Sequence, residues 1–246
     1  MNVVIPRAGR GKRFEETGYS FPKPLIDVNG KPMIQIIIEN LNFTAKHIFI
    51  CQEDHIQKFA IHDLMNLLKP NSEIISINKI TQGAAETVLL AKDLINNDDE
   101  LIIANSDQWI DWNNQHFLSF MRKKEADGGI VTFISTHPKW SYVRVNEKDG
   151  LVEEVAEKRP ISNIATVGIY YYKHGKNFVE AAEQMIKKNI RTNNEFYVAP
   201  VFNEMIAAGK KIHIYPIAEM RGLGTPEDLH QFLNSPPRTV TNYDRN

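Results

Sequence analysis

Thiol chemistry is nearly absent from this chain: its 246 residues hold one cysteine, Cys51. A single cysteine excludes an internal disulfide and fits a reducing compartment. Cys51 continues the apolar run His47-Ile48-Phe49-Ile50, so it is expected to be a buried structural residue rather than a nucleophile. Long apolar runs are also missing. No stretch approaches the roughly 20 residues that a membrane-spanning helix needs, and the chain opens without a signal-peptide pattern. These absences predict a cytoplasmic protein with no membrane partner. Neither sign of charge is in excess: 29 Lys+Arg face 30 Asp+Glu, a formal net charge of −1. No basic field therefore points to nucleic acid. The eight histidines are scattered and form no metal-ligand cluster. Internal repeats and low-complexity segments are lacking as well.

What remains is an ordinary globular composition, 42% hydrophobic and 24% charged. Its informative part is Met1 to Ile34. A short apolar strand (Val3, Val4, Ile5) enters a loop with Gly9, Gly11 and Arg13; Pro22-Lys23-Pro24 follows, and then a second apolar strand is expected. Glycines let backbone approach a ligand, and the two cations offer it charge. Framing prolines fix the direction of Lys23. The combination suggests a triphosphate site. It is not a dinucleotide fingerprint, because Phe14 stands where the third glycine is needed. Nor is it a Walker A loop: Gly11-Lys12 is followed by Arg13, and Pro6 replaces the first glycine.

Further strands are predicted at Ile48–Cys51, Ile74–Ile77, Leu101–Ala104, Ile130–Ser135, Tyr142–Val145, Leu151–Ala156, Thr166–Tyr172 and Lys211–Ile217. Helices are predicted to begin near Pro32, Asp54, Ala84, Asn113, Lys176, Glu195 and Pro226. Strand–helix alternation to about residue 125 implies parallel βαβ units; the consecutive strands that follow imply antiparallel additions, with a turn at Lys148-Asp149-Gly150. The fold class is thus α/β, a Rossmann-like, mainly parallel mixed sheet flanked by helices. We expect one catalytic domain over residues 1–235 and a flexible tail over 236–246, where the chain turns polar and proline-broken. Ligands of such sheets sit beyond the strands' carboxyl ends. Three loaded segments are placed there: the glycine loop, Thr81-Gln82-Gly83-Ala84-Ala85, and Asn105-Ser106-Asp107. Amides, cations and one carboxylate at a single rim are what a nucleotide–magnesium complex requires.

These residues resemble the nucleoside-diphosphate-sugar pyrophosphorylases, the sugar-phosphate nucleotidyltransferase superfamily with its GT-A-like fold. The matching elements are Gly9-Arg10-Gly11-Lys12-Arg13, Pro22-Lys23-Pro24-Leu25 and Asp107. In order after them come Gln82-Gly83-Ala84-Ala85, resembling the base-contacting segment, and Glu157-Lys158-Arg159-Pro160, resembling the element whose lysine holds the sugar phosphate. Thr166-Val167-Gly168-Ile169-Tyr170 resembles the strand beside the sugar, and Asn194-Glu195-Phe196-Tyr197 an element that meets sugar hydroxyls. Two departures stand out. Arg7 puts a cation where a small residue is usual, and Gly222 stands where many sugar-specific members carry an Asp or Asn as a second magnesium ligand. Either the metal has fewer protein ligands here, or Glu195 or Asp228 serves.

The resemblance implies transfer of a nucleotidyl group from a nucleoside triphosphate to a phosphorylated small-molecule acceptor, with magnesium and release of pyrophosphate. It makes Arg13, Lys23 and Asp107 the catalytic set, with Asp107 on the metal. Arg7, Ala8, Gly9, Gly11, Gln82, Gly83, Ala84 and Ser106 would bind the nucleotide; Lys158, Gly168 and Glu195 would bind the acceptor. Members are frequently dimers or tetramers, which allows a homo-oligomer. Surface-polysaccharide precursors are the expected product class. A cytidylyltransferase acting on a non-anomeric sugar phosphate or a non-sugar phosphate stays open. A glycosyltransferase of related fold would usually carry Asp-x-Asp, and Asp107-Gln108-Trp109 lacks the second acid. Simpler readings exist for single residues: Asp107 as a cap or turn acid, Lys158 as a solvated ion-pair partner, Glu195 as the start of a helix, and His137-Pro138-Lys139-Trp140 as an exposed turn.

Overall fold

The first strand, β1 (Asn2–Arg7), is paired on both sides and covered on both faces, so its Val3, Val4 and Ile5 lose all contact with water. The computed structural model describes residues 1–7, 12–235 and 237. The glycine loop's Ala8, Gly9 and Gly11, and most of the expected tail, lie outside the described residues. After β1 come helix α1 (Lys12–Glu16), a 3-10 turn at Lys23–Leu25, and the hairpin β2 (Asp27–Val28) and β3 (Lys31–Pro32). The second apolar strand expected after Pro24 is therefore only two residues long. Asn29 and Gly30, both with positive φ, turn the chain back before it can extend.

Helix α2 (Met33–Leu41) leads to β4 (Lys46–Gln52), helices α3 (Glu53–Phe59) and α4 (Ile61–Leu68), and β5 (Glu73–Ile77). Helices α5 (Ala84–Leu89) and α6 (Lys92–Ile95) precede β6 (Leu101–Ala104). The short β7 (Gln108–Ile110), helix α7 (Asn114–Lys123) and β8 (Gly128–Ile134) follow. Next come β9 (Ser141–Val145), β10 (Val152–Glu157), β11 (Ile164–Tyr172), α8 (Gly175–Lys187), α9 (Val201–Ala207), β12 (Ile212–Pro216), β13 (Met220–Gly222) and α10 (Pro226–Asn234).

The long strands form a nine-stranded sheet with the path β10-β9-β11-β6-β1-β4-β5; β8 pairs with β11 and β12 off that path. β5, β4, β1 and β6 are parallel, and β11 joins β6 antiparallel. The mixed, mainly parallel architecture is as the strand–helix alternation implies. The helix expected near Glu195 starts instead at Val201. Asn193 and Asn194 take left-handed φ there, and Thr192 and Glu195 exchange backbone hydrogen bonds of 3.1 and 2.9 Å, so the segment is a closed turn.

Alternation along β1 and β4 builds two core layers. Val3, Ile5, Phe49 and Cys51 face α2, α4, α7 and α10, whereas Val4, Ile48 and Ile50 face α5, α8 and α9. Cys51 is buried in the first layer, as its apolar context predicts. Trp109 packs edge-on to Phe232 there, with ring centres 6.5 Å apart. Fully burying one such aliphatic side chain stabilises by about 1.5–3 kcal/mol, so this frame fixes its strand ends firmly.

Candidate active site

The carboxyl ends of β1 and β6 open into a cleft of two connected lobes, about 590 and 520 Å³. Arg13, Asn105, Asp107, Ser141, Glu157, Tyr170 and Gly224 border both lobes. Residues far apart in sequence meet here because β1, β6 and β11 are successive strands of the sheet.

Arg13 is exposed on α1, which is anchored by the fully buried Phe14. Lys23 sits in the 3-10 turn closed by Leu25 donating its amide to Pro22 at 2.8 Å. Its ammonium donates to Asp107 Oδ2 at 2.5 Å. Lys23 and Asp107 are 84 positions apart, and both are partly buried. Asp107 is held from behind: Leu223 donates its amide to the Asp107 carbonyl at 2.7 Å, and β13 pairs antiparallel with β7, Gly222 opposite Gln108. That clamp was not legible from residue patterns, because both strands are three residues long.

The clamp also delivers a second acid. Thr225 caps α10 by accepting the Asp228 amide at 3.1 Å, and the Asp228 carboxylate fills the space a side chain at Gly222 would take. A Cβ built on Gly222 would meet Asp228 Oδ2 at 3.1 Å, and one on Gly224 would meet Asp107 Oδ2 at 3.2 Å and Asp228 Oδ2 at 3.8 Å. Two carboxylates thus converge beside Gly224, each with a lysine: Lys139 Nζ is 3.1 Å from Asp228 Oδ1. Among the described residues no group of three or more His, Cys, Asp or Glu side chains could hold a metal ion. This donor set suits magnesium, which takes one or two carboxylates and fills its shell with water and substrate oxygens. It does not suit an all-protein cage.

The second lobe borders β11. Gly168, at φ +76, sits in a bulge between Thr166 and Tyr170, and its carbonyl accepts the Asn105 amide at 2.9 Å. A Cβ there would lie 2.2 Å from Asn105 Nδ2, so only glycine lets the strand approach this closely. Lys158, Gly168, Lys139 and Trp140 line this lobe. The His137–Trp140 turn is indeed largely exposed, yet it forms a wall of the cleft. Lys158 takes φ +53 at the end of β10 and donates to the Tyr197 hydroxyl at 2.6 Å.

Burial pushes the Glu157 carboxyl above its ordinary range; the Ser141 hydroxyl hydrogen-bonded to it and nearby Lys158 pull it down, while Glu195 pushes it further up. Burial likewise raises the Tyr170 phenol, with Glu157 adding to the effect.

In the first lobe, Arg7, Ser106, Ala84 and Glu195 line the wall. Gln82 and Gly83 stand outside both linings. The Gln82 side-chain oxygen accepts from Arg191 at 2.5 Å, and its carbonyl accepts the Phe196 amide at 2.7 Å. The sequence offered Asp228 as an alternative metal acid, whereas Tyr170, Ser141, Lys139 and Trp140 were given no chemical role. The one local signal for Asp228 is the Thr-Pro-Glu-Asp helix start, which reads as a cap.

The sequence model of the family described as nucleotidyl transferase matches residues 2–235. The chain is 26% identical over 232 residues to the bifunctional protein GlmU of Methanocaldococcus jannaschii, covering 93% of this chain and 52% of that protein. It is 27% identical over 177 residues to mannose-1-phosphate guanylyltransferase 1 of Arabidopsis thaliana, covering 69% and 49%. The chain spans about half the length of the first of these relatives. Among solved structures, the nucleoside-diphosphate-sugar pyrophosphorylase of Vibrio cholerae RC9 superposes with a TM-score of 0.82 at 24% identity, covering 94% of this chain and 99% of that one. The cleft at the ends of β1 and β6 therefore belongs to a known framework, and the chain is a member of the nucleotidyl transferase family.

Proposed function

We propose that this protein joins a nucleoside triphosphate to a sugar phosphate and releases pyrophosphate, giving a nucleoside-diphosphate sugar for surface polysaccharide synthesis. The observation that carries the reading is the 2.5 Å Lys23–Asp107 contact inside a cleft also lined by Arg13. A phosphate nucleophile is already anionic near neutral pH, so no general base is needed, and catalysis reduces to alignment and charge neutralisation.

Arg13 and Lys23 neutralise the triphosphate, Lys23 toward the α-phosphate where charge shifts during attack. Backbone amides of Ala8, Gly9 and Gly11 cradle the phosphates. Ala84 and Ser106 border the nucleoside, with Gln82 and Gly83 at its rim, and the acceptor lies in the second lobe beside Lys158 and Gly168, with Glu195 reaching it from the first. Asp107, with Asp228 beside it, would hold magnesium. The bound ion would supply Lewis-acid neutralisation of phosphate charge. A homo-oligomer and a cytoplasmic location belong to the same reading.

A second reading is favoured by the replacement of a side chain at Gly222 by the Asp228 carboxylate. That difference lies beside the acceptor lobe and suits a cytidylyltransferase using a non-anomeric sugar phosphate or a non-sugar phosphate. Purified protein, magnesium, each common triphosphate and a panel of phosphosugars and phospho-alcohols would be assayed for pyrophosphate. Release with an anomeric sugar phosphate supports the first reading, and release only with other acceptors supports the second. A folded protein that releases none from any pair refutes both.

A further inference from the structure

Arg7 closes β1 on the layer shared by Val3 and Ile5, with its Cα opposite that of Cys51 in β4. It is 6% exposed, and its Nε and both terminal nitrogens are buried without a hydrogen-bond partner among the described residues. Other arginines of the fold differ: Arg122 and Arg144 are half-exposed and paired with carboxylates at 2.5 Å. Burial lowers the Arg7 guanidinium to about 10, with Cys51 acting weakly the other way, so it is still a cation at neutral pH. A buried cation with five unused N–H donors is costly unless something supplies the opposite charge.

The missing partner is an anion, and its place is restricted. Arg7 lines the lobe that also holds Arg13, Lys23 and Ser106, and it does not line the lobe of Lys139 and Lys158. Of the carboxylates that line this lobe, Asp107 is paired with Lys23 and Glu157 accepts from Ser141, and neither these nor Glu195 hydrogen-bonds Arg7. Resting on the nucleotidyl transfer proposed above, we propose that Arg7 is a buried receptor for the pyrophosphate moiety of the triphosphate and for released pyrophosphate. The planar guanidinium matches paired phosphate oxygens, as an ammonium does not. Among the described residues nothing pairs this charge, and the polyphosphate relieves it. Arg7 therefore weakens the empty protein and tightens its hold on the nucleotide.

The test compares wild type with Arg7→Met, an apolar side chain of similar length, by calorimetric binding of magnesium pyrophosphate and by thermal melting with and without it. No acceptor or turnover is involved. Three results are expected: Arg7→Met melts higher than wild type without ligand, binds pyrophosphate at least tenfold more weakly, and gains less than half the wild-type melting shift. Equal pyrophosphate affinity in the two proteins overturns the Arg7 assignment and leaves the transferase reading intact. A wild type that binds no pyrophosphate overturns both. If Arg7→Met does not fold, Arg7→Lys decides: affinity within twofold of wild type overturns the bidentate receptor, and a severalfold loss supports it.

Discussion

Lys23 holds Asp107 at 2.5 Å while standing in the lobe that Arg13 and Arg7 also line. An ammonium held this way is aligned before any substrate arrives, so its removal should act on the transition state more than on folding. We expect Lys23→Ala to lower kcat by about 10²–10³, or about 3–4 kcal/mol, with the melting temperature changed by only a few degrees. Pyrophosphate release and thermal melts check the two halves of that statement. Lys158 is expected to behave differently, because it lines the acceptor lobe and not the first lobe, and donates to the Tyr197 hydroxyl. Lys158→Ala should raise the KM for the acceptor about tenfold and leave the KM for the triphosphate within twofold, as initial-rate kinetics with each substrate varied would show. Lys23, Arg13 and Asp107 were legible in the sequence because each ends or frames a strand in a recognisable order. Asp228 was legible only as an alternative to Glu195. Its carboxylate matters only because Gly222 has no side chain and β13 pairs with β7, and neither condition is written in local spacing.

Elements place these residues through close backbone approaches, and two glycines show how little slack there is. Gly83, at φ +136, opens α5, and a Cβ on it would lie 2.4 Å from the Phe196 carbonyl oxygen. Backbone cannot step aside there, since Phe196 also donates to Gln82 and accepts from Ala85, at 2.7 and 2.9 Å. At Gly150, φ +74 in the β9–β10 turn, a Cβ would have no neighbour within 4 Å. Gly150→Ala should therefore cost only the left-handed penalty, about 1 kcal/mol, whereas Gly83→Ala should cost at least twice that. Denaturant melts of the two variants measure the difference, and equal losses would refute the clash at Phe196. The long strands were legible because β-branched runs between breakers are a strong signal. The three-residue β7 and β13 were not, because three residues show no period. The helix expected at Glu195 failed for a related reason: Asn193 and Asn194 close a turn, and an acid before an apolar pair resembles a first helical turn.

At the scale of the molecule, the sheet that positions the cleft also buries a titratable ring. His47 lies on β4, 2% exposed, with Nδ1 3.0 Å from the Ala45 carbonyl and its ring stacked 6.1 Å from Phe49. Burial, and then the charge of Lys69, lower its pKa from 6.5 to about 4, against a smaller upward pull from the Ala45 hydrogen bond. The folded state thus prefers the neutral ring, and the unfolded chain takes up the proton first. Stability from this residue is complete above pH 6.5 and drains away as the pH falls toward 4. The shift corresponds to about 3 kcal/mol at the acid end, a large share of the 5–15 kcal/mol that domains typically have. We therefore expect the denaturation midpoint of the wild type to fall steeply between pH 6.5 and 4. His47→Phe keeps a planar ring and has no proton to gain, so its acid limb should be flatter, with a lower midpoint at pH 7 if the bond to Ala45 is missed. Chemical denaturation at half-unit pH steps decides the matter: identical slopes in the two proteins would assign the acid limb elsewhere. The sign is the informative part, because a carboxylate held by a cation also loses stability in acid, but over the range below its ordinary pKa near 4, and His47→Phe would leave that loss untouched.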